Sequence, residues 1–99
     1  MTFNELEEKV YLWALDKGLI TEDNLKQQAL KTVEEVGELA KSILNNDRAE
    51  FVDAIGDVMV TLIILARQNG VCALTCLQSA YDEIKGRTGK TVNGTFIKD

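Results

Sequence analysis

The chain has 99 residues, a net charge of −5 and no proline, and 45% of its residues are hydrophobic. This length suits one domain with a modest core, and the negative charge argues against bulk electrostatic binding of nucleic acids or anionic membranes. The polar, acidic N-terminus predicts no signal peptide, and the longest apolar run, residues 58–66, is far shorter than the roughly 18–20 residues that cross a bilayer. We therefore expect one cytoplasmic domain, residues 1–99, that binds neither nucleic acid nor membrane.

The first two predicted helices have clear start signals. Thr2 and Glu5 have the spacing of a capping box, and apolar residues then recur at helical spacing until Gly18 ends the helix. A second helix is predicted from near Thr21, a good N-cap, to about Leu44. Its apolar face contains Ala29, Val33, Val36, Leu39, Ala40 and Ile43.

Two further helices follow a break at residues 45–47. Asp47 is predicted to cap the third helix, which becomes hydrophobic on all sides from Val58 to Ala66, as is typical of a helix buried on every side. A fourth is predicted from about Ala73 to Lys85, with one apolar face made of Leu77, Ala80, Tyr81 and Ile84. Because so small a chain has too few partners to cover the third helix, we expect an all-α bundle whose four-helix core is completed by dimerisation.

Charged side chains form one stripe on the second helix and another on the third, because residues three and four apart are neighbours on a helix. Like charges at this spacing destabilise a helix by roughly 0.2–0.5 kcal/mol per pair, and few basic residues lie near enough to neutralise them. Facing carboxylates in a helical bundle are typical of sites for hard cations such as Mg²⁺. The first stripe contains Gln28, Lys31, Glu35, Glu38 and Ser42, and the second contains Glu50, Asp53, Asp57 and Thr61.

The motif Glu34-Glu35-x-x-Glu38, followed by Gly56-Asp57-Val58, resembles the MazG-like, all-α nucleoside triphosphate pyrophosphohydrolases, which are relatives of the all-α dimeric dUTP pyrophosphatases. The resemblance runs from about Gln28 to the end of the chain. It implies a homodimer or tetramer that uses Mg²⁺, with Mn²⁺ as an alternative ion, to convert NTP or dNTP to the monophosphate and pyrophosphate. The family's metal ligands carry over directly to Glu35, Glu38 and Asp57.

One family ligand position differs in this chain. The commonest family pattern has Glu three residues before the final Asp, and here that residue is Ala54. Asp53 lies one helical turn before Asp57 on the same stripe, so we expect it to substitute as the fourth ligand. Glu50 has the spacing of a capping box with Asp47, which favours a cap over a ligand.

Two charged residues beside the motif have more than one interpretation. Glu34 flanks the stripe and is our candidate for the base that takes a proton from the attacking water, with Glu35 and Asp53 as alternatives. A salt bridge to Lys31 is the other interpretation of Glu34. Lys31 matches the lysine that precedes the motif in the family, which implies contact with phosphate.

The chain becomes Gly-rich and basic at residues 86–99. Such a terminus is disordered by default. Its spacing of basic and apolar residues nevertheless resembles the C-terminal pattern of the family, which implies a tail that closes over bound substrate. The substrate contacts implied after the third helix are Asp82, Lys85, Arg87, Lys90 and Lys98.

Trp13 and the two cysteines are predicted to lie in the core. Trp13 has base stacking as a second interpretation, but core packing is favoured. Cys72 and Cys76 are interpreted as small apolar core residues in a reducing compartment, because the chain has no His and no other Cys to complete a tetrahedral metal site.

A non-catalytic alternative remains open. In it the chain is a degenerate relative that binds a nucleotide or a partner helix without turnover, and Ala54 is its best support. A plain dimeric bundle with acidic surface stripes is the third possibility, and it predicts no response to Mg²⁺.

Overall fold

A computed structural model describes all residues, 1–99. It confirms the all-α class, with a small β-hairpin as the one departure. The elements in chain order are α1 (Phe3–Asp16), a 3₁₀ turn (Glu22–Asn24), α2 (Leu25–Leu44), α3 (Arg48–Gln68), α4 (Ala73–Ile84), β1 (Gly89–Val92) and β2 (Thr95–Lys98). None of the helices combines the length and the apolar character that spanning a membrane requires.

Local sequence signals set most helix ends. The Thr2 hydroxyl accepts a hydrogen bond from the Glu5 N–H at 3.1 Å, and Asp47 accepts one from the Glu50 N–H at 3.1 Å. Both predicted N-caps are therefore confirmed. Thr21 makes no side-chain capping bond and instead precedes the 3₁₀ turn, so α2 begins at Leu25.

Helices α2 and α3 form an antiparallel hairpin, and their contact is the most extensive in the chain. The short connection is possible because Asn46 adopts a positive φ of 52°, a left-handed conformation that Asn tolerates. The polar stripes face inwards in part, since Gln28, Ser42 and Thr61 are all buried. The α2–α3 pair thus sets one polar helix face opposite another.

Much of the apolar surface of α2 and α3 stays exposed. Val33 and Ile43, on the predicted apolar face of α2, are 69% and 57% exposed. Met59 and Leu62 are 41% and 47% exposed, so the prediction that α3 is buried on every side is not met within one chain. The fully buried hydrophobic residues are Ala14, Ala54, Ile63 and Ile64.

The α1–α3–α4 junction is built around a buried acid. The Glu7 carboxylate pairs with Arg67 of α3 at 2.5 Å and accepts the N–H of Ala73, the first residue of α4, at 2.6 Å. Burial raises the pKa of Glu7, but the hydrogen bonds from Arg67 and Ala73 outweigh it and hold that pKa below its usual value. Arg67 also pairs with Glu8 at 2.8 Å and stacks over the Tyr11 ring at 4.3 Å.

Part of residues 86–99 forms the β1–β2 hairpin, which the sequence analysis did not predict. Asn93 and Gly94 have φ values of 51° and 80°, as a type I′ turn requires. The strands are antiparallel, with Val92 opposite Thr95 and Gly89 opposite Lys98. The Asn-Gly pair between alternating apolar residues was the signal that would have found this hairpin.

Candidate functional site

A cavity of about 460 Å³ lies between α1, α2 and α3. It brings together three of the predicted site residues, Lys31 and Glu35 of α2 and Asp57 of α3. The other lining residues are Trp13, Leu19, Asn24, Gln27, Gln28, Val60, Thr61 and Ile64. One part of the cavity is therefore charged and the rest is apolar or carries amides.

Lys31 pairs with both neighbouring acids of the motif. Its Nζ lies 3.2 Å from Glu35 Oε1 and 3.6 Å from Glu34 Oε1. The hydrogen bond to Glu35, together with the charge of Glu34, raises the pKa of Lys31. The Glu35 side chain is 14% exposed and lines the cavity, whereas the Glu34 side chain is 63% exposed and does not. The ion pair between Lys31 and Glu34 agrees with the salt-bridge interpretation of Glu34. The role of Glu34 as a base stays a prediction.

The remaining acids lie further along the groove between α2 and α3. Glu38 lines another cavity of about 300 Å³ with Asp47, the N-cap of α3, and Glu50 in the first turn of α3. Asp53 is exposed and lies one turn before Asp57. No group of three or more Asp, Glu, Cys or His side chains is gathered closely enough to hold a metal ion. The predicted ligands thus form an acidic groove with Glu35 and Asp57 in one cavity and Glu38 in another.

The carboxylates of the larger cavity fit a Mg²⁺ ion that is bound together with a phosphorylated ligand. Mg²⁺ in nucleotide sites is usually held by one or two carboxylates, by waters and by phosphate oxygens of the substrate. Glu35 and Asp57 supply the carboxylates, and Lys31, which is half exposed, supplies a cation beside them. The site therefore has the chemistry to hold the ion together with a phosphorylated ligand.

Ala54, where the resembling family carries Glu, is 1% exposed. Its methyl group is covered by packing and offers no donor. Asp53, the next residue, keeps its carboxylate exposed at the same level of α3. This placement leaves Asp53 available as the substitute ligand, and that assignment remains a prediction.

Gln28 is a cavity residue whose role sequence reasoning missed. Its side chain is only 6% exposed, it lines the cavity, and its amide makes no hydrogen bond within the chain. By contrast, the buried Thr61 hydroxyl donates to the Val58 carbonyl at 2.7 Å. The amide atoms of Gln28 keep some contact with solvent and have no partner in the chain, so they are free to hydrogen-bond a group that enters the cavity. Its position on the polar stripe was the available signal.

Trp13 and Cys76 do not lie in the core, so both predictions are wrong. Trp13 is 52% exposed and lines the cavity, because the space between α1 and α3 at this level is left open. Cys76 is exposed on α4, whose face at this position has no partner within the chain. Cys72 is partly buried as the N-cap residue of α4, and a hydrogen bond with the Thr75 side chain lowers the pKa of its thiol.

The predicted substrate contacts after α3 lie away from the cavity, since none of them lines it. Lys85 pairs with Asp82 at 3.1 Å, and Arg87 pairs with Glu83 at 3.1 Å. Lys90 and Lys98 lie on the hairpin, at positions opposite Ile97 and Gly89. Within one chain, the structure brings Lys31 to the acidic cavity but not these later residues.

One relative is an uncharacterised 18.2 kDa protein from the rep-hol intergenic region of Haemophilus phage HP1 (strain HP1c1). It is 34% identical over 67 residues, which make up 68% of this chain and 41% of the phage protein. The chain thus spans less than half the length of this relative. No solved structure matches the chain significantly.

A family comparison gives the clearest result. Residues 14–87 match the family described as phosphoribosyl-ATP pyrophosphohydrolase, and this range includes Lys31, Glu35 and Asp57. The match supports placing the chain in the wider group of all-α nucleotide pyrophosphohydrolases. The family description does not name the MazG-like proteins that the motif resembles. Because the match covers well over half of its residues, the chain belongs to the phosphoribosyl-ATP pyrophosphohydrolase family.

Proposed function

We propose that this chain is a Mg²⁺-dependent pyrophosphohydrolase that converts NTP or dNTP to the monophosphate and pyrophosphate. The observation that carries the proposal is a single cavity that combines Lys31, Glu35 and Asp57 with the exposed ring of Trp13 and the unpartnered amide of Gln28. Membership of a family described as hydrolysing a nucleotide pyrophosphate bond supports it.

The two parts of the cavity suit the two parts of a nucleotide. The charged part takes the triphosphate, because Lys31 pairs with phosphate oxygens while the carboxylates face a bridging cation. The apolar part takes the base, because an aromatic ring stacks on a base face and an amide hydrogen-bonds its edge. The cavity volume of about 460 Å³ is within the usual range for small-molecule sites.

The reaction is the attack of water on a phosphorus atom of the triphosphate, with pyrophosphate as the leaving group. Glu35 and Asp57 would hold the metal in the larger cavity, and Glu38 and Asp53 are the further predicted ligands, which would have to move closer to reach the same ion. A divalent ion held there would supply charge neutralisation for the phosphates. Glu34 accepts the proton of the attacking water, and Lys31 neutralises charge on the phosphate oxygens.

The family description points to one substrate beyond the common nucleotides. Phosphoribosyl-ATP carries a triphosphate on a nucleoside, so the same charged part of the cavity would bind it. Its second phosphorylated sugar would need further basic contacts, and Lys85, Arg87, Lys90 and Lys98 are the predicted candidates.

The decisive experiment incubates the purified chain with NTPs, dNTPs, dUTP, an oxidised nucleotide and phosphoribosyl-ATP, with Mg²⁺, with Mn²⁺ and with EDTA. Equimolar pyrophosphate and monophosphate, released only with a divalent ion, are expected for at least one substrate. Glu38→Gln should abolish this turnover, because it removes the charge of a proposed metal ligand. The helical circular dichroism should stay unchanged, because the Glu38 side chain is exposed.

Glu22→Gln is the matched control, since Glu22 lies in the 3₁₀ turn outside the groove and should retain full turnover. A Glu38→Gln variant with near-normal rates would contradict the ligand assignment. Silence of the wild-type chain across the whole panel, from protein that nucleotides still stabilise against heat, would support the degenerate binding module instead.

A further inference from the structure

The connection between α1 and α2 forms one side of the candidate cavity. It comprises residues 17–24, and we call it the α1–α2 loop. Two of its residues, Leu19 and Asn24, line the cavity. The shape of the apolar and amide part of the cavity therefore depends on where this loop lies.

The backbone hydrogen bonds of the loop are all local. The Leu19 N–H donates to the Ala14 carbonyl at 3.0 Å, and the Asn24 N–H donates to the Thr21 carbonyl at 3.3 Å. Gly18, with a φ of 73°, turns the chain away from α1. None of these features sets the distance between the loop and α3, so side chains have to set it.

Gln68, the last residue of α3, connects that helix to the loop. Its Nε2 donates to the Leu19 carbonyl at 3.0 Å and to the Thr21 carbonyl at 3.1 Å. The two acceptors use both hydrogens of the amide group. Because both acceptors belong to the main chain, this contact, which we call the Gln68 clamp, fixes the backbone of the loop. Gln68 itself does not line the cavity.

The orientation of the Gln68 amide follows from the same contacts. Reversal of the amide would place its oxygen against two carbonyl oxygens, so the nitrogen has to face the loop. The oxygen is then covered and has no hydrogen-bond partner within the chain. A covered oxygen without a partner opposes folding. The clamp therefore contributes more to the position of the loop than to net stability.

The clamp reaches a cavity side chain through the loop. The Leu19 carbonyl also accepts a hydrogen bond from Asn24 Nδ2, at 3.3 Å. With its nitrogen bonded in this way, Asn24 keeps its amide oxygen as an acceptor for a ligand. A displaced Leu19 carbonyl would release the Asn24 amide as well.

The residue before Gln68 holds the helix that precedes the loop. Arg67 pairs with Glu7 and Glu8 of α1, and α1 carries Trp13, which also lines the cavity. Two successive residues of α3 thus hold two successive segments of the chain. The last turn of α3 sets the positions of both segments relative to the cavity.

We propose that Gln68 is a positioning residue for nucleotide binding. It holds the α1–α2 loop so that Leu19 and Asn24 lie at the distance from Trp13 that a base requires. The clamp follows from the hydrogen bonds alone, and its effect on nucleotide binding rests on the proposed function. The charged residues of the cavity belong to α2 and α3, so loss of the clamp should weaken binding without slowing the chemical step.

The clamp is tested first, by amide hydrogen exchange of the full-length chain followed by NMR. Gln68→Met keeps the length of the side chain and removes the two donors together with the partnerless oxygen, so the fold should persist. The Leu19 N–H should exchange roughly tenfold faster, because the loop opens more often, while amides of α2 keep their wild-type rates. Gln68→Asn, whose shorter side chain withdraws the same donors, takes its place if Gln68→Met does not fold.

Gln78→Met is the matched control for this measurement. Gln78 is exposed on α4 and does not line the cavity, so its variant should keep wild-type exchange at Leu19. Gln68→Lys is the rescue variant, because its ammonium group restores donors to the two carbonyls. Unchanged exchange at Leu19 in the folded Gln68→Met chain would overturn the clamp.

The effect on binding is tested by steady-state kinetics with the best substrate of the panel. In Gln68→Met the KM should rise roughly tenfold, with kcat within about twofold of the wild-type value. The inhibition constant of inorganic triphosphate, which has no base, should stay unchanged. Gln68→Lys should recover most of the lost affinity. A lower kcat with an unchanged KM would overturn the positioning role.

The outcomes separate this proposal from the proposed function. If the wild-type chain hydrolyses nothing, the proposed function fails, while hydrogen exchange still decides whether Gln68 holds the loop. The dissociation constant of an α,β-imido nucleoside triphosphate, measured with Mg²⁺, then decides the rest. Weaker binding by Gln68→Met supports the positioning role, and equal binding or no binding by any variant overturns it.

Discussion

The two ends of α4 lie in opposite environments. At its N-terminus the Glu7 carboxylate is fully covered and is bonded to Arg67 and to the Ala73 N–H. From Thr75 onwards every residue is exposed, including Leu77 and Tyr81. The polar contacts in this chain are thus largely satisfied, whereas much of its apolar surface is not.

This difference indicates what the single chain can and cannot stabilise by itself. Burial of apolar area is the dominant favourable contribution to folding, and here much of that area faces solvent. The buried ion pair fixes the geometry of three helices but is weak support for net stability, because desolvation offsets much of its attraction. We therefore expect the junction to determine the relative orientation of α1, α3 and α4.

The largest effect on the junction should come from Glu7→Gln. This change leaves Arg67 with only the half-exposed Glu8 as an ion-pair partner, and breaking a buried pair costs about 3–5 kcal/mol of unfolding free energy. Glu8→Gln is the control, because it removes an ion pair to the same Arg67 from an acid whose side chain is 51% exposed, and such pairs contribute about 0–1 kcal/mol. Urea unfolding followed by circular dichroism, at matched chain concentration, measures both. Equal losses for the two variants would contradict the junction described above.

Acidification should act on the same contact with a smaller effect. The folded-state pKa of Glu7 lies below its usual value of 4.5, so the unfolded chain takes up the proton first as the pH falls. The contribution of Glu7 is complete above that usual value and is lost as the pH falls through the lowered folded-state pKa. The difference in unfolding free energy between wild type and Glu7→Gln should therefore shrink below about pH 4.5. A difference that stays constant from pH 7 to pH 3 would contradict this assignment.

The smallest effect on global stability should come from Gly89→Ala, which changes only the β1–β2 hairpin. A Cβ at this position would lie 2.7 Å from the Phe96 ring and 2.9 Å from the Lys98 Cα. The hairpin should therefore open, and its cross-strand NMR contacts should disappear while helix content is kept. Gly86→Ala is the control, because nothing lies within 4 Å of its added Cβ. Retention of the cross-strand contacts in Gly89→Ala would show that the hairpin tolerates a side chain there.

Sequence patterns were sufficient to predict the helices and the residues that lie together in the central part of the candidate site. Periodicity and caps gave α1, α3 and α4 closely, and the stripe of i and i+4 neighbours placed Lys31 beside Glu35, with which it pairs. These features depend on local geometry, which the order of residues largely determines. The same reasoning placed Asp57 opposite that pair.

The errors concern contacts between distant parts of the chain. Trp13 was predicted to be buried because large aromatic residues usually are, but burial depends on which elements happen to cover it. Glu7 was overlooked because a buried acid is recognised by its partner, and Arg67 lies 60 positions away. Glu7 nevertheless lies one helical heptad before the buried Ala14, which places both on the inner face of α1.

The bond from Glu7 to the Ala73 N–H links the beginning of the chain to its last quarter. Glu7 lies outside residues 14–87, the part that matches the family, and so does the whole hairpin. The direction in which α4 leaves α1 and α3 is therefore encoded in part by the first helix rather than by the matched region alone. Loss of the Glu7 carboxylate would release the start of α4 while every residue from 14 to 87 is kept.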